Sequence, residues 1–333
     1  MAVTTDTPLA PAPADSTAAD YRTLREGCGL LDRSERGKLA LSGPEAIEFL
    51  NGQVTNELAD LQAGEGRYAA FLTHKGKMLG DLRVLAVEGG EGEPELLLDT
   101  ERVALQSLFD MIRRFKVGFR VELDKRTVER GLLSLIGPRA AGVAGADPGP
   151  VEHANAAVSL AGVEALAIRT DAGIDLLAAA GDTAALAAAL RSRGAEPVGE
   201  AAAECLRIES GRPRYGIDLD ETVIPQEAGL NERAVSFTKG CYVGQETVAR
   251  LHYKGRPNRH LRGLRLAALA EPGAPLLLGE RELGRLSSVA DSPRLGPIAL
   301  ALVRREAEPG ALLQLAGGTT TAEVVELPFA PPA

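Results

Sequence analysis

A cysteine stands between glycines in the run Lys239-Gly240-Cys241-Tyr242-Val243-Gly244-Gln245-Glu246, with a lysine two residues ahead of it. Glycine reaches backbone angles closed to other residues and lets a ligand approach the main chain. A nearby ammonium, or amides at the start of a following helix, favours thiolate over thiol. Cys241 therefore reads as a working thiol with Lys239 as its activator. Cys28 and Cys205 lie among small and apolar residues and read as packing residues. Three cysteines this far apart, with no C-x-x-C, argue against a disulfide framework or a ready zinc site.

A second cluster, Leu206-Arg207-Ile208-Glu209-Ser210-Gly211-Arg212-Pro213, places a carboxylate just before a glycine. Glu209 there is able to accept paired N–H bonds from the edge of a flat heterocycle such as a pterin or guanine. A third, Leu72 to Leu82, contains Lys75-Gly76-Lys77-Met78-Leu79-Gly80-Asp81 and reads as a tight hairpin with Asp81 at the head of a strand. Asp81 is a site carboxylate or a turn residue on this reading. His74, His153, His252 and His260 form no metal-binding spacing, and no nucleophile elbow or glycine-rich nucleotide loop occurs. Zinc hydrolysis, hydride transfer and phosphoryl transfer lose their support.

The elements that must carry these groups show in capping and periodicity. Ser42-Gly43-Pro44-Glu45 has capping-box spacing ahead of Ala46, Ile47, Phe49 and Leu50, which predicts a short helix ending near Gly52. Val103, Leu105, Leu108, Phe109 and Ile112 recur at helical spacing after Asp99-Thr100, and an Ala/Leu-rich helix follows Asp182-Thr183. Two strand-helix-strand units, each with Asp-Thr at the helix start, suggest related lobes. The segments Glu88–Glu95 and Gly142–Pro150 read as surface connections, poor places for a site. Beyond Gly255, short apolar stretches separated by Gly, Pro and charge predict a small antiparallel β domain.

With 45% hydrophobic and 25% charged residues the chain is that of a globular protein. No apolar run suits a membrane span, and Met1 to Asp20 reads as a disordered tail without the marks of a signal peptide. The expected compartment is the cytoplasm. The net charge of -9 opposes general nucleic-acid binding. Thr247 to Ala270 nevertheless lacks acidic residues and carries Arg250, Lys254, Arg256, Arg259, Arg262 and Arg265, either a solvated rim or an anion-facing surface.

KGCYVGQETVAR, Lys239 to Arg250, resembles the K-G-C-[YF]-x-G-Q-E signature of the YgfZ family, which includes mitochondrial iron-sulfur assembly factors. Asn51-Gly52-Gln53-Val54-Thr55, Gly76-Lys77-Met78 and Ile208-Glu209-Ser210-Gly211 are similar to further elements of that family. The wider superfamily holds the T-protein of the glycine cleavage system, a tetrahydrofolate-using aminomethyltransferase. The resemblance implies an α+β fold, with two interleaved α/β lobes around a central folate channel and a small C-terminal antiparallel β-barrel. The expected organisation is a tail over 1–20, the folate-binding lobes over 21–254 and the barrel over 255–330.

The implied function is tetrahydrofolate-dependent help in assembling or repairing iron-sulfur clusters, with effects on cluster enzymes including those that thiolate tRNA. Cys241, Lys239 and Asp81 are expected in the chemistry. Glu209, Gln245, Gly240, Gly244, Tyr242, Lys77 and Met78 are expected against the cofactor, tetrahydrofolate or a one-carbon derivative. No metal site is expected. The partners implied are the iron-sulfur assembly machinery or cluster enzymes, with no membrane and with direct nucleic-acid contact left open. Two other readings stand beside this one: a folate-dependent aminomethyltransferase or one-carbon transferase, and an interaction module with a vestigial pocket. T-proteins commonly show paired aspartates where this chain has Gly80-Asp81, and G-R-E where it has Gly244-Gln245-Glu246. One acid and one arginine of transferase chemistry are therefore missing.

Overall fold

A computed structural model describes residues 14–90, 94–315 and 320–329. Two antiparallel sheets are woven through one another along the chain. One takes the order Gly66–Leu72, Met78–Val87, Glu95–Thr100, Gly37–Ser42, Glu122–Lys125. The other runs Glu196–Pro197, Gly29–Asp32, Arg130–Ile136, Gly173–Ala179, Val163–Arg169, Asn155–Leu160, with only its Glu196–Pro197 edge pairing in parallel. Gly29–Asp32 thus belongs to the second sheet although it precedes Gly37–Ser42 of the first. From Arg259 onward six antiparallel strands close into a barrel.

Each sheet buries one face under its own helices, as alternating side chains require. Leu108, Met111 and Ile112 of the helix Leu105–Phe115 pack on the first sheet, while Leu186 and Leu190 of Thr183–Ser192 pack on the second. The opposite faces meet through Leu85, Leu132, Ile168 and Leu177. Both lobes share the sequence strand, single 3-10 turn, helix. The two Asp-Thr pairs do not correspond, however. Thr100 ends a strand and donates to the Asp81 carbonyl (2.5 Å), whereas Thr183 opens its helix. The short helix forms at Ala46–Asn51 without its predicted capping box: Ser42 is the last residue of a strand, and Glu45 instead accepts from the Arg120 amide (2.7 Å) and Nε (2.8 Å).

Residues 14–20 of the expected tail are helical. Ala14–Glu26 is a helix whose Tyr21 and Leu24 are buried with Ala202, Ala203 and Cys205 of the helix Glu200–Glu209. Asp20 accepts the Gly199 amide at 2.8 Å, at the start of that second helix. Tertiary burial converts an Ala/Asp-rich stretch, weakly helical alone, into an ordered element. Residues 1–13 of the expected tail lie outside the described residues.

Lys239, expected beside the thiol, is tied into the fold. Its Nζ donates into a nest of oxygens from Asn51 O (2.7 Å), Asn51 Oδ1 (2.9 Å), Val54 O (3.0 Å) and Asn56 O (2.6 Å). It thereby pins the loop after Ala46–Asn51 to the segment that carries the cysteine. No hydrogen bond joins its ammonium to Cys241 among the described residues. Burial pushes its pKa down to about 8, so the charged form still dominates at neutral pH. Lys239→Met strips these oxygens of their donor and should cost about 2–4 kcal/mol, read as a lowered midpoint in urea unfolding. An unchanged midpoint would show that the nest is not structural.

Candidate functional site

Between the two sheets and the helix Glu200–Glu209 lies a cavity of about 230 Å³. The strand Met78–Val87 turns Asp81 and Arg83 to the same face, two residues apart, and both reach the cavity wall. Tyr68, on the neighbouring strand, donates its hydroxyl to Asp81 Oδ2 at 2.6 Å. Burial raises the Asp81 carboxyl to about 6, nearby Glu101 adds to the rise, and the Tyr68 hydrogen bond and Arg36 oppose it.

An ion chain underpins this wall. Arg36 Nε and Arg83 Nε hold Asp99 at 2.9 and 2.7 Å, Arg83 Nη1 crosses to Asp175 Oδ2 of the other sheet at 2.6 Å, and Ser134 Oγ donates to Asp175 Oδ1 at 2.6 Å. Burial alone would raise the Asp99 carboxyl, but the two guanidiniums outweigh it and hold Asp99 well below the usual range. Across the cavity Glu152 accepts from Arg212 Nη1 (2.7 Å) and Arg233 Nη2 (3.1 Å), and Arg214 pairs with Glu101, Glu200 and Glu204. His153 also stands in the wall, with both ring nitrogens lacking a hydrogen-bond partner.

Of the residues predicted to form the site, Asp81 alone lines this cavity. Glu209 occupies the far side of its helix, where its carboxylate accepts from Tyr21 Oη (2.9 Å), Ser292 Oγ and Arg294 Nη2 (3.0 Å) and ties the helix to the barrel. The cavity face of the same helix presents Glu204 and Arg207. Helical spacing sets Glu209 well round the axis from that pair. Met78 is fully buried core, and Lys77 Nζ donates to the Thr222 carbonyl at 2.6 Å.

The cysteine motif is packed on the hairpin turn, apart from the cavity. Gly244 (φ +84) precedes the helix Gln245–Lys254, and a Cβ there would stand 2.6 Å from the Thr73 carbonyl oxygen. At Gly76 (φ +74) it would meet Thr247 Cβ at 2.8 Å. Gly244 lets backbone approach backbone, and Gly76 makes room for the Thr247 side chain. Tyr242 is buried, Gly240 and Cys241 are exposed, and Gln245 Nε2 donates to the Gly240 carbonyl at 3.5 Å. Cys28 and Cys205 are buried, and burial pushes their thiols up to about 11 and about 12, in keeping with packing roles. In the basic stretch, Arg259 pairs with Glu227 and Arg262 with Glu326, and none of its six cations lines the cavity.

Sequence reasoning missed the ion chain and His153. Arg207, Arg212 and Arg214 were visible around Glu209, and a helical wheel separates Glu209 from Glu204 and Arg207. His153 left no signal, since it falls just beyond a segment that reads as a plain surface connection.

Comparison with known proteins agrees with this architecture. The GCVT N-terminal domain model matches residues 10–239, and the glycine cleavage T-protein C-terminal barrel domain model matches 259–330. An aminomethyltransferase of Streptomyces coelicolor is 32% identical over 94% of this chain and 89% of its own length. A putative chloroplastic transferase of Arabidopsis thaliana is 27% identical over 91% of this chain and 71% of its own. The crystal structure of glycine cleavage system aminomethyltransferase T from Bartonella henselae superposes with a TM-score of 0.83 at 27% identity, covering 94% of this chain and 89% of that one. From its interleaved sheets to its closing barrel, this chain belongs to the aminomethyltransferase family of glycine cleavage T-proteins.

Proposed function

We propose that the central cavity binds a reduced folate and that the chain acts there on a one-carbon unit, with Asp81 as its proton-handling group. The observation that carries this reading is a buried carboxyl of pKa about 6, fixed by Tyr68 in the wall of a cavity rich in guanidiniums. A carboxyl poised near neutral pH both gives and takes a proton, as general acid–base chemistry needs. The donor set fits the ligand: buried Arg33 Nε and the His153 ring nitrogens lack partners, and the surrounding arginines suit the carboxylates of a glutamyl tail. A reduced folate supplies the nucleophilic nitrogen that receives the one-carbon unit. Asp81 Oδ1 is left to exchange a proton while Tyr68 holds Oδ2, and Arg83 keeps that strand in register with the second sheet. A second aspartate at position 80 is excluded, because a Cβ there would lie 2.6 Å from Ala104 Cβ and from the Phe71 ring. Asp81 works alone.

Cys241 favours a second reading on the same pocket, a YgfZ-type folate-binding factor that assists iron-sulfur cluster assembly or repair. Its thiol is exposed, away from the cavity, on a turn held by Lys239. That placement suits a thiol meant for a partner such as a cluster enzyme. The residue contacts expected along the motif, Gly240, Tyr242, Gly244 and Gln245, would serve that surface rather than the pterin.

Purified protein given tetrahydrofolate and an aminomethylated lipoyl carrier should form methylenetetrahydrofolate, with Asp81→Asn lowering the rate at least a hundredfold and Cys241→Ala leaving it intact. Folate binding without turnover, together with loss of cluster-enzyme activity in cells carrying Cys241→Ala, would replace the first reading by the second. Iodoacetamide should add to Cys241 alone in the native state, and to all three cysteines after unfolding, as read by intact mass. A native protein that resists the reagent would remove Cys241 from any partner-facing role.

The raised Asp81 pKa also fixes a stability profile. A carboxyl lifted from 3.8 to about 6 on folding contributes stability below about pH 4 that is lost as pH climbs through about 6. Asp81→Asn should therefore be more stable than the wild type above pH 6, by about 1–3 kcal/mol, with the gap closing near pH 4. Parallel melting curves across that range would refute an elevated Asp81.

A further inference from the structure

His153 is 7% exposed, lines the cavity, and has no hydrogen-bond partner at Nδ1 or Nε2 among the described residues. The nearest carboxylate oxygen, Glu152 Oε1, stands 3.7 Å from Nε2 and already accepts from Arg212 and Arg233. A side chain buried only for packing has no use for two polar atoms, and an apolar ring in its place would be less costly.

The surroundings hold this imidazole with care. His153 has φ +72, a left-handed conformation that a side chain adopts only where neighbours enforce it. Its amide donates to the Arg169 carbonyl at 2.9 Å. Gly66 lets the backbone come close, since a Cβ there would lie 2.5 Å from the His153 carbonyl oxygen and 2.7 Å from its Cβ. The ring faces Tyr68 with centroids 6.2 Å apart, and Tyr68 holds Asp81. His153 and Asp81 therefore flank one tyrosine, contributed by different lobes.

We propose that His153 is a ligand-contacting residue of the central cavity, presenting one N–H donor and one lone-pair acceptor to the edge of a planar heterocycle that carries complementary groups. This rests on the reading of the cavity as a reduced-folate site and assigns a pterin-type head to the His153 side of it. Burial, reinforced by Arg83, lowers the imidazole pKa to about 4. The ring is thus neutral at physiological pH, so donor and acceptor coexist.

The 333-residue chain, labelled with 15N in its four histidines, is titrated with 5-formyltetrahydrofolate, a stable reduced folate, and followed by imidazole 15N resonances and calorimetry. The His153 ring signals should move on binding. His153→Phe, which removes two unpaired polar atoms and keeps the ring, should bind at least tenfold more weakly. His153→Asn, which tolerates the left-handed backbone, should retain part of the affinity. Wild-type binding with stationary His153 signals and equal affinity in both variants would overturn the assignment and leave the folate reading standing. Absence of binding by the wild type would overturn the folate reading, and this assignment with it. If His153→Phe fails to fold, the wild-type resonances decide alone.

Discussion

The Arg83 guanidinium, clasped by Asp99 of one sheet and Asp175 of the other, is the contact on which the geometry between the lobes depends. The apolar seam of Leu85, Leu132, Ile168 and Leu177 attracts the sheets without orienting them, since hydrophobic contact is non-directional. The ion chain supplies direction. Both Asp175 oxygens are used, and Arg36 shares Asp99. Such a buried network contributes little net energy over an apolar filling, but any member left alone is expensive. It therefore acts as a registration device. Asp81, on the same strand and face as Arg83, inherits its position from this bridge.

Much of the architecture was legible in the sequence because it follows from periodicity and punctuation. The helix Leu105–Phe115 and the helix Thr183–Ser192 stand where apolar spacing predicts them, and the barrel closes beyond Gly255 as predicted, although its longest strand, Arg281–Ser292, has no apolar run to mark it. Local polar signals fared less well. Glu45 found Arg120 in place of its own helix start, and the helix at Ala14–Glu26 draws its order from partners near residue 200. The site was readable only at Asp81. Glu209 sits in a conspicuous motif, but conspicuous residues serve packing as often as ligands: it fastens helix to barrel. The arginine chain and His153 come from four separate strands and two loops, and only the folded lobes bring them together.

Two kinds of geometry thus divide the molecule. Around the cavity most charges are held in ion pairs, while Asp81 is held by the Tyr68 hydroxyl and the His153 ring has no hydrogen-bond partner among the described residues. Around Cys241, main chain is pressed against main chain at Gly244, Gly76 receives the Thr247 side chain, and a lysine is satisfied by oxygens of the backbone and of Asn51. The first arrangement prepares a chemical environment. The second holds a surface turn rigid, with its cysteine facing outward.

The weaving of the sheets has a consequence for synthesis. Gly29–Asp32 leaves the ribosome early, but its hydrogen-bonded neighbours are Arg130–Ile136 and, on its other edge, Glu196–Pro197. At about 5–20 residues per second, the strand waits on the order of ten seconds with both edges bare. During that interval the neighbouring strand, Gly37–Ser42, can already pair with Glu95–Thr100. The nascent chain must therefore carry a sticky, unmatched ribbon beside a half-built lobe. Its brevity, four residues ending in the exposed Asp32, limits the ribbon's capacity to recruit a stranger before its own partners emerge.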